Sequence, residues 1–315
     1  MTLRHAQGYP EHGRGVKKFA GVFTPIATPF RADDTLDDAG LRSNVRRWMT
    51  SRLTGLVVLG SNGEAPQLDD AEADRVVEIV RSEMPKGRPM IVGTGRESTR
   101  ATIAATKRAA AAGADAVLVR TPSFFKGQMT TEVFVRHYTE VADASPVPVL
   151  LYNVTMYTGV NLLPDAVATL AEHPNVPGMK ESGSDLAQIA ECIARTPGDF
   201  TVLAGSAATF FPALCVGCDG GILALAMLAP EACVQMVALV REGRVEEARD
   251  LQQRLLPLAR TIGGAHGVPA VKAALTLMGF AAGPPRPPLR PVPPALVETL
   301  RAQLDALGLL EPVHS

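Results

Sequence analysis

Eight short apolar runs, amphipathic segments between them and a change of composition after the eighth predict an α/β fold: a (β/α)8 TIM barrel with a C-terminal helical appendage. The runs begin 20 to 35 residues apart, room for one strand, one helix and two loops per unit. They are apolar throughout rather than alternating, as a parallel sheet covered on both faces requires. An open doubly wound sheet is the alternative. Its nucleotide loop would have to be Gly93-Thr-Gly95, but Arg96, Glu97 and Ser98 follow where a third glycine should stand.

The predicted strands cover residues 21–24, 55–59, 90–93, 116–120, 149–152, 176–180, 201–204 and 221–225. Segments 37–53, 69–84, 99–112 and 131–144 place apolar residues at helical spacing behind polar starts, and Gly113 follows the third where a helix-ending glycine belongs. Beyond the eighth unit, 230–258 and 269–278 read as two helices, 284–294 as a stiff polyproline connector and 297–307 as a final helix. The domain reading is a flexible extension over 1–18, the catalytic barrel over 19–241 and a C-terminal helical region over 242–315.

Composition narrows the function. Thirty-one basic residues against thirty-two acidic ones leave a net charge of −1, with no excess to attract nucleic acid or an anionic membrane. Aromatic content is 5%, with Trp48 the single tryptophan, too little for a base-stacking platform. The uncharged run 200–218 is broken by Gly205, Ser206 and Pro212, so it reads as buried core rather than a membrane span. Residues 1–18 have no apolar stretch of the signal-peptide kind. The four cysteines form no disulfide framework, and the Cys215-x-x-Cys218 pair has no second pair or paired histidines beside it. His137, His173 and His266 are scattered. The expectation is a reduced, cytoplasmic protein with no metal.

In such a barrel the reactive groups sit at the C-terminal ends of the strands. The polar residues there are Gly60-Ser-Asn-Gly-Glu64, Tyr152-Asn153, Lys180-Glu-Ser-Gly183 and Gly205-Ser206. Lys180 follows an apolar segment and aims at the barrel mouth if the register is right. Desolvation disfavours an ammonium, and a neutral amine attacks a ketone to give a Schiff base, an electron sink for carbon–carbon cleavage or formation. A strand-end lysine can equally reach back to solvent. Tyr152 ends the neighbouring strand, about 5 Å away, where a phenol can pass protons to the amine or simply fill the core. The turn at Ser61 and Asn62 offers side chains and backbone N–H groups to a carboxylate, or is only a capping turn.

With these motifs in this order and 28 residues from Tyr152 to Lys180, the chain resembles the lysine-dependent pyruvate aldolases over about residues 19–310. That family includes dihydrodipicolinate synthase and N-acetylneuraminate lyase. The Gly-Ser-Asn-Gly-Glu turn, Leu203-Ala-Gly-Ser-Ala207 and Arg136-His-Tyr-Thr-Glu-Val-Ala-Asp143 are most similar to its 4-hydroxy-2-oxoglutarate aldolase branch. The resemblance implies an imine between Lys180 and a 2-oxo acid of the pyruvate or glyoxylate type, with an aldehyde as the other partner and no cofactor. Tyr152 would relay protons with Ser61, and Gly60, Ser61 and Asn62 would hold the 1-carboxylate. Ser182 and Ser206 would line the rest of the pocket. A homotetramer built from two tight dimers is implied as well.

The chain departs from the family at three positions. Tyr157 stands where dihydrodipicolinate synthase has an arginine for its aldehyde's carboxylate, which argues against that activity. Phe124 stands where a tyrosine usually enters the neighbouring subunit's site, so Tyr157 or water substitutes, or the relay is shorter. Met227 replaces a common asparagine. The expected reaction is cleavage of a 4-hydroxy-2-oxo acid. Dehydration of a 2-keto-3-deoxy sugar acid and a weakly catalytic 2-oxo acid binder are the alternatives.

Overall fold

The computed structural model describes residues 17, 19–264 and 266–310; nearly all of the extension read over 1–18, and the last five residues of the C-terminal region, lie outside them. The strands are β1 (Gly21–Pro25), β2 (Gly55–Val58), β3 (Met90–Gly93), β4 (Ala116–Arg120), β5 (Val149–Asn153), β6 (Gly178–Glu181), β7 (Thr201–Ala204) and β8 (Gly220–Ile222). All pair in parallel and in chain order, and β8 returns to β1, closing the barrel. Phe23, Val57, Ile91, Leu118, Leu150, Leu203 and Ile222 fill its interior.

The outer elements are α1 (Asp38–Met49), α2 (Asp70–Glu83), α3 (Thr99–Ala111), α4 (Thr131–Ala144), α5 (Thr155–Thr158), α6 (Pro164–Ala171), α7 (Leu186–Arg195) and α8 (Phe210–Cys215). Their starts are chemically marked: Asp69 and Glu72 form a reciprocal capping box on α2, and Ser98 and Thr130 cap α3 and α4. Trp48 on α1 stacks on Phe280 at 5.3 Å and donates to the carbonyl of Met227 at 3.1 Å. Met227 is thus core, walled in beyond β8.

Several boundaries differ from the sequence reading: β8 ends at Ile222 rather than 225, the last helix starts at Pro294 rather than 297, and two further differences have a plain cause. The segment read as one helix over 230–258 is two, α9 (Pro230–Arg241) and α10 (Val245–Ile262). Gly243 at φ 73° breaks it, a backbone state that costs glycine little and most residues much more. The sixth strand begins at Gly178 rather than 176, because the Val176 N–H is taken by the His173 carbonyl in a turn. The remaining helices are α11 (Gly267–Leu277) and α12 (Pro294–Ala306). None of the helices among the described residues is long and apolar enough to cross a membrane, and no cluster of metal-ligating side chains occurs there.

Candidate active site

Successive residues of a strand point to opposite faces, and register partners point to the same face. Tyr152 is paired with Lys180 across β5 and β6, and both project into the mouth of the barrel. Lys180 is 4% exposed and Tyr152 5%. The Lys180 Nζ lies 3.4 Å from the Tyr152 hydroxyl and 4.4 Å from the centre of its ring, and the Ser61 Oγ lies 3.4 Å from the same hydroxyl. The result is a hydroxyl–phenol–amine chain. Its contacts are long, as catalytic hydrogen bonds often are before substrate draws them in.

The Ser61–Gly63 turn leads from β2, and Glu64 completes it in the left-handed conformation at φ 56°. The N–H groups of Gly63 and Glu64 are spent inside the turn, on Gly60 and Ser61 carbonyls, and Thr28 Oγ1 donates to the Gly63 carbonyl at 2.7 Å. The N–H groups of Ser61 and Asn62, which open the turn, have no partner within it. Gly205 is required for close approach: a Cβ there would meet the Ser182 Oγ and lie 2.9 Å from Lys180 Cε.

Lys180 opens into a chamber of about 310 Å³ together with Ser61, Asn62, Tyr152, Tyr157, Ser182 and Ser206. Seven of the nine residues singled out in the sequence therefore meet in one space. Gly60 lines the adjoining chamber of about 330 Å³. Phe124 is not brought in: it is 78% exposed, edge-on to Phe125 with ring centres 5.1 Å apart. Tyr157 is half exposed and lines both the Lys180 chamber and another of about 470 Å³. Burial raises its hydroxyl pKa, and neighbouring Tyr152 adds to the rise. The Ser182 hydroxyl is buried without a hydrogen-bond partner among the described residues.

Three supports were not among the predicted site residues. Glu181 turns away from the chamber and is 2% exposed. It accepts from Asn153 Nδ2 at 2.7 Å, the Gly183 N–H at 2.6 Å and Gln188 at 3.3 Å, clamping β5 to β6 one residue beyond the Tyr152–Lys180 row. Burial pushes its carboxyl up, and these donors pull it partly back.

The second support braces the Ser61–Gly63 turn from behind. Lys272 on α11 meets Glu64 at 2.5 Å, both side chains almost fully enclosed, and also donates to the Pro284 carbonyl at 2.8 Å. The Arg286 N–H donates to Glu64 at 2.7 Å while its guanidinium grips Glu72 with two bonds of 2.7 Å. The proline-rich segment expected to act as a connector is thus pinned to the site. Arg120, the third, ends β4 beside Tyr152 and is ion-paired with Glu97 at 2.8 Å.

The sequence pattern of the dihydrodipicolinate synthetase family matches residues 18–307. The chain is 39% identical to the 4-hydroxy-tetrahydrodipicolinate synthase of Methanopyrus kandleri over 292 residues, 92% of this chain and 97% of that one. Dihydrodipicolinate synthase from Thermotoga maritima superposes with a TM-score of 0.88 at 35% identity, over 93% of this chain and 99% of that one. The E. coli K12 prophage protein YagE, solved in complex with pyruvate, gives 0.87 at 31% identity, over 93% and 99% of the two chains.

Proposed function

The chain belongs to the dihydrodipicolinate synthetase family and is a lyase of that family, and on that premise we propose that it cleaves a 4-hydroxy-2-oxo acid through an imine on Lys180. The observation that carries this reading is the buried Lys180 amine against the Tyr152 hydroxyl, in a chamber that also holds the Ser61–Asn62 turn. Lys180 attacks C2 of the 2-oxo acid and water departs. Tyr152, backed by Ser61, removes the proton of the C4 hydroxyl. The C3–C4 bond then breaks, its electron pair passing into the iminium to leave an enamine and release an aldehyde. Protonation at C3 and hydrolysis free the smaller 2-oxo acid and restore the amine.

The similarity to 4-hydroxy-2-oxoglutarate aldolase at the Gly60–Glu64 turn supports that diacid as substrate. A pyruvate complex of YagE is consistent with a small 2-oxo acid product. The names of the relatives favour a second reading, 4-hydroxy-tetrahydrodipicolinate synthase, and Tyr157 in place of the arginine weighs against it. Exposed Phe124, Phe125, Met156 and Tyr157 form apolar surface that supports assembly with further copies of the chain, a homotetramer by family resemblance.

The test is mass spectrometry after borohydride reduction with pyruvate. An adduct on Lys180, absent in Lys180→Ala, is expected, together with cleavage of 4-hydroxy-2-oxoglutarate. An unmodified, well-folded protein would overturn the imine. Condensation of pyruvate with the synthase's aldehyde at a higher kcat/KM would favour the second reading, and water loss without an aldehyde fragment would make the enzyme a dehydratase.

A further inference from the structure

The uppermost inward layer of the barrel holds two basic side chains, Lys180 and Arg120. Ala116 and Leu118 of β4 point inward with Leu150 and Tyr152 of β5, so Arg120, two residues on, does the same. Register pairs it with Tyr152, which is paired in turn with Lys180. Two strand spacings separate Arg120 from Lys180, about 10 Å between Cα atoms. Arg120 lines the chambers of about 470 and 330 Å³, and both share Ser61 with the Lys180 chamber.

The guanidinium is held in place. Nη1 meets Glu97 Oε1 at 2.8 Å and donates to the Thr121 carbonyl at 3.1 Å. Glu97 is anchored by the N–H groups of Ser123 and Phe124, each at 2.8 Å. Nε and Nη2 of Arg120 find no acceptor among the described residues, and this edge has the geometry that takes a carboxylate with two parallel hydrogen bonds. Arg260 also lines the Lys180 chamber, but it is exposed and no carboxylate among the described residues orients it.

Building on the lyase reading above, we infer that Arg120 is a specificity-determining residue that binds an anionic group at the far end of the substrate. The aldehyde-type product is then itself an anion, an oxo-carboxylate rather than a neutral aldehyde. A cation supplied by β4 takes the place of the clamp absent at Tyr157, from a different wall of the mouth.

The test compares binding by calorimetry, which needs no turnover. 2-Oxoglutarate carries both carboxylates, and pyruvate carries one. Arg120→Gln is expected to weaken 2-oxoglutarate binding about 10- to 100-fold, the usual worth of hydrogen bonds to a charged group, and pyruvate binding much less. Arg120→Lys should fall between, keeping charge but losing the fork. An equal loss for both acids would make Arg120 merely structural, and an unchanged ratio would overturn the inference, as would Arg260→Gln carrying the discrimination. Should Arg120→Gln fail to fold, the Arg120→Lys ratio decides in the same way. Failure of the lyase reading is distinguishable: no borohydride-stable pyruvate adduct forms on wild type, while the difference between the two acids persists.

Discussion

Lys272→Met tests whether the C-terminal helices hold the Ser61–Asn62 turn, proposed to bind the substrate carboxylate. The substitution conserves length and most of the volume but takes away the ion-pair partner of Glu64, whose side chain is 0% exposed, leaving only the electrostatic pull of the Arg286 guanidinium. Removing one partner of a buried ion pair costs about 3–5 kcal/mol, because the remaining charge is stranded. At roughly 2 °C per kcal/mol for a chain of this size, the melting temperature should fall by about 6–10 °C. Burial lowers the Lys272 ammonium pKa more than Glu64 raises it, so the pair is held against a solvation cost. The damage from the single variant should therefore come chiefly from the orphaned carboxylate. Glu64→Gln in the same chain removes that charge and keeps an oxygen for the Arg286 N–H, so the double variant should recover part of the loss. Release of the Ser61–Asn62 turn should raise KM for a 2-oxo acid by about tenfold to a hundredfold, the usual worth of hydrogen bonds to a charged group. Scanning calorimetry and steady-state kinetics read both effects. A single variant that melts with wild type and keeps its KM would refute the bracing role. A double variant no better than the single would show that lost packing, not stranded charge, is responsible.

Tyr152→Phe keeps the ring beside Lys180 and removes the hydroxyl, so kcat should fall by about 10²- to 10⁴-fold while borohydride still traps pyruvate on the lysine; unchanged kcat would remove Tyr152 from the relay. His137 is 5% exposed, its Nδ1 is 2.8 Å from Thr99 Oγ1, and its Nε2 is buried without a partner among the described residues. Burial lowers its pKa from 6.5 to about 4, so the unfolded chain binds the extra proton first. Stability present above pH 6.5 should be lost as pH falls toward 4, by roughly 3 kcal/mol, and His137→Gln should flatten that limb of a urea-midpoint series.

What the sequence disclosed follows from period and distance. A strand has a period of two, so an apolar run that ends in Tyr152 or Lys180 already states which way the side chain points once the register is right. The same parity places Arg120 inward at the end of β4, and it was legible by that rule. Its run continues into Thr121-Pro122 without the loop-like residues that mark the strand ends at Gly60, Lys180 and Gly205. Gly243 was likewise readable as a break, and helical periodicity on both sides concealed it. Glu64 and Lys272 differ in kind. Glu64 stood in a recognised turn, but its partners Lys272 and Arg286 come from the far end of the chain, Arg286 at a separation of 222 residues. No local pattern pairs such residues. The only available sign was a lysine within the apolar stretch Val271-Lys-Ala-Ala-Leu275, where a charge must find an opposite one. The strand-end position of Lys180, the proposed nucleophile, is therefore encoded locally, by strand parity, whereas the Ser61–Asn62 turn is held by tertiary contacts from the C-terminal region. A change in α11 or the proline-rich segment should accordingly act on KM before it acts on imine formation, since it reaches the turn and not Lys180.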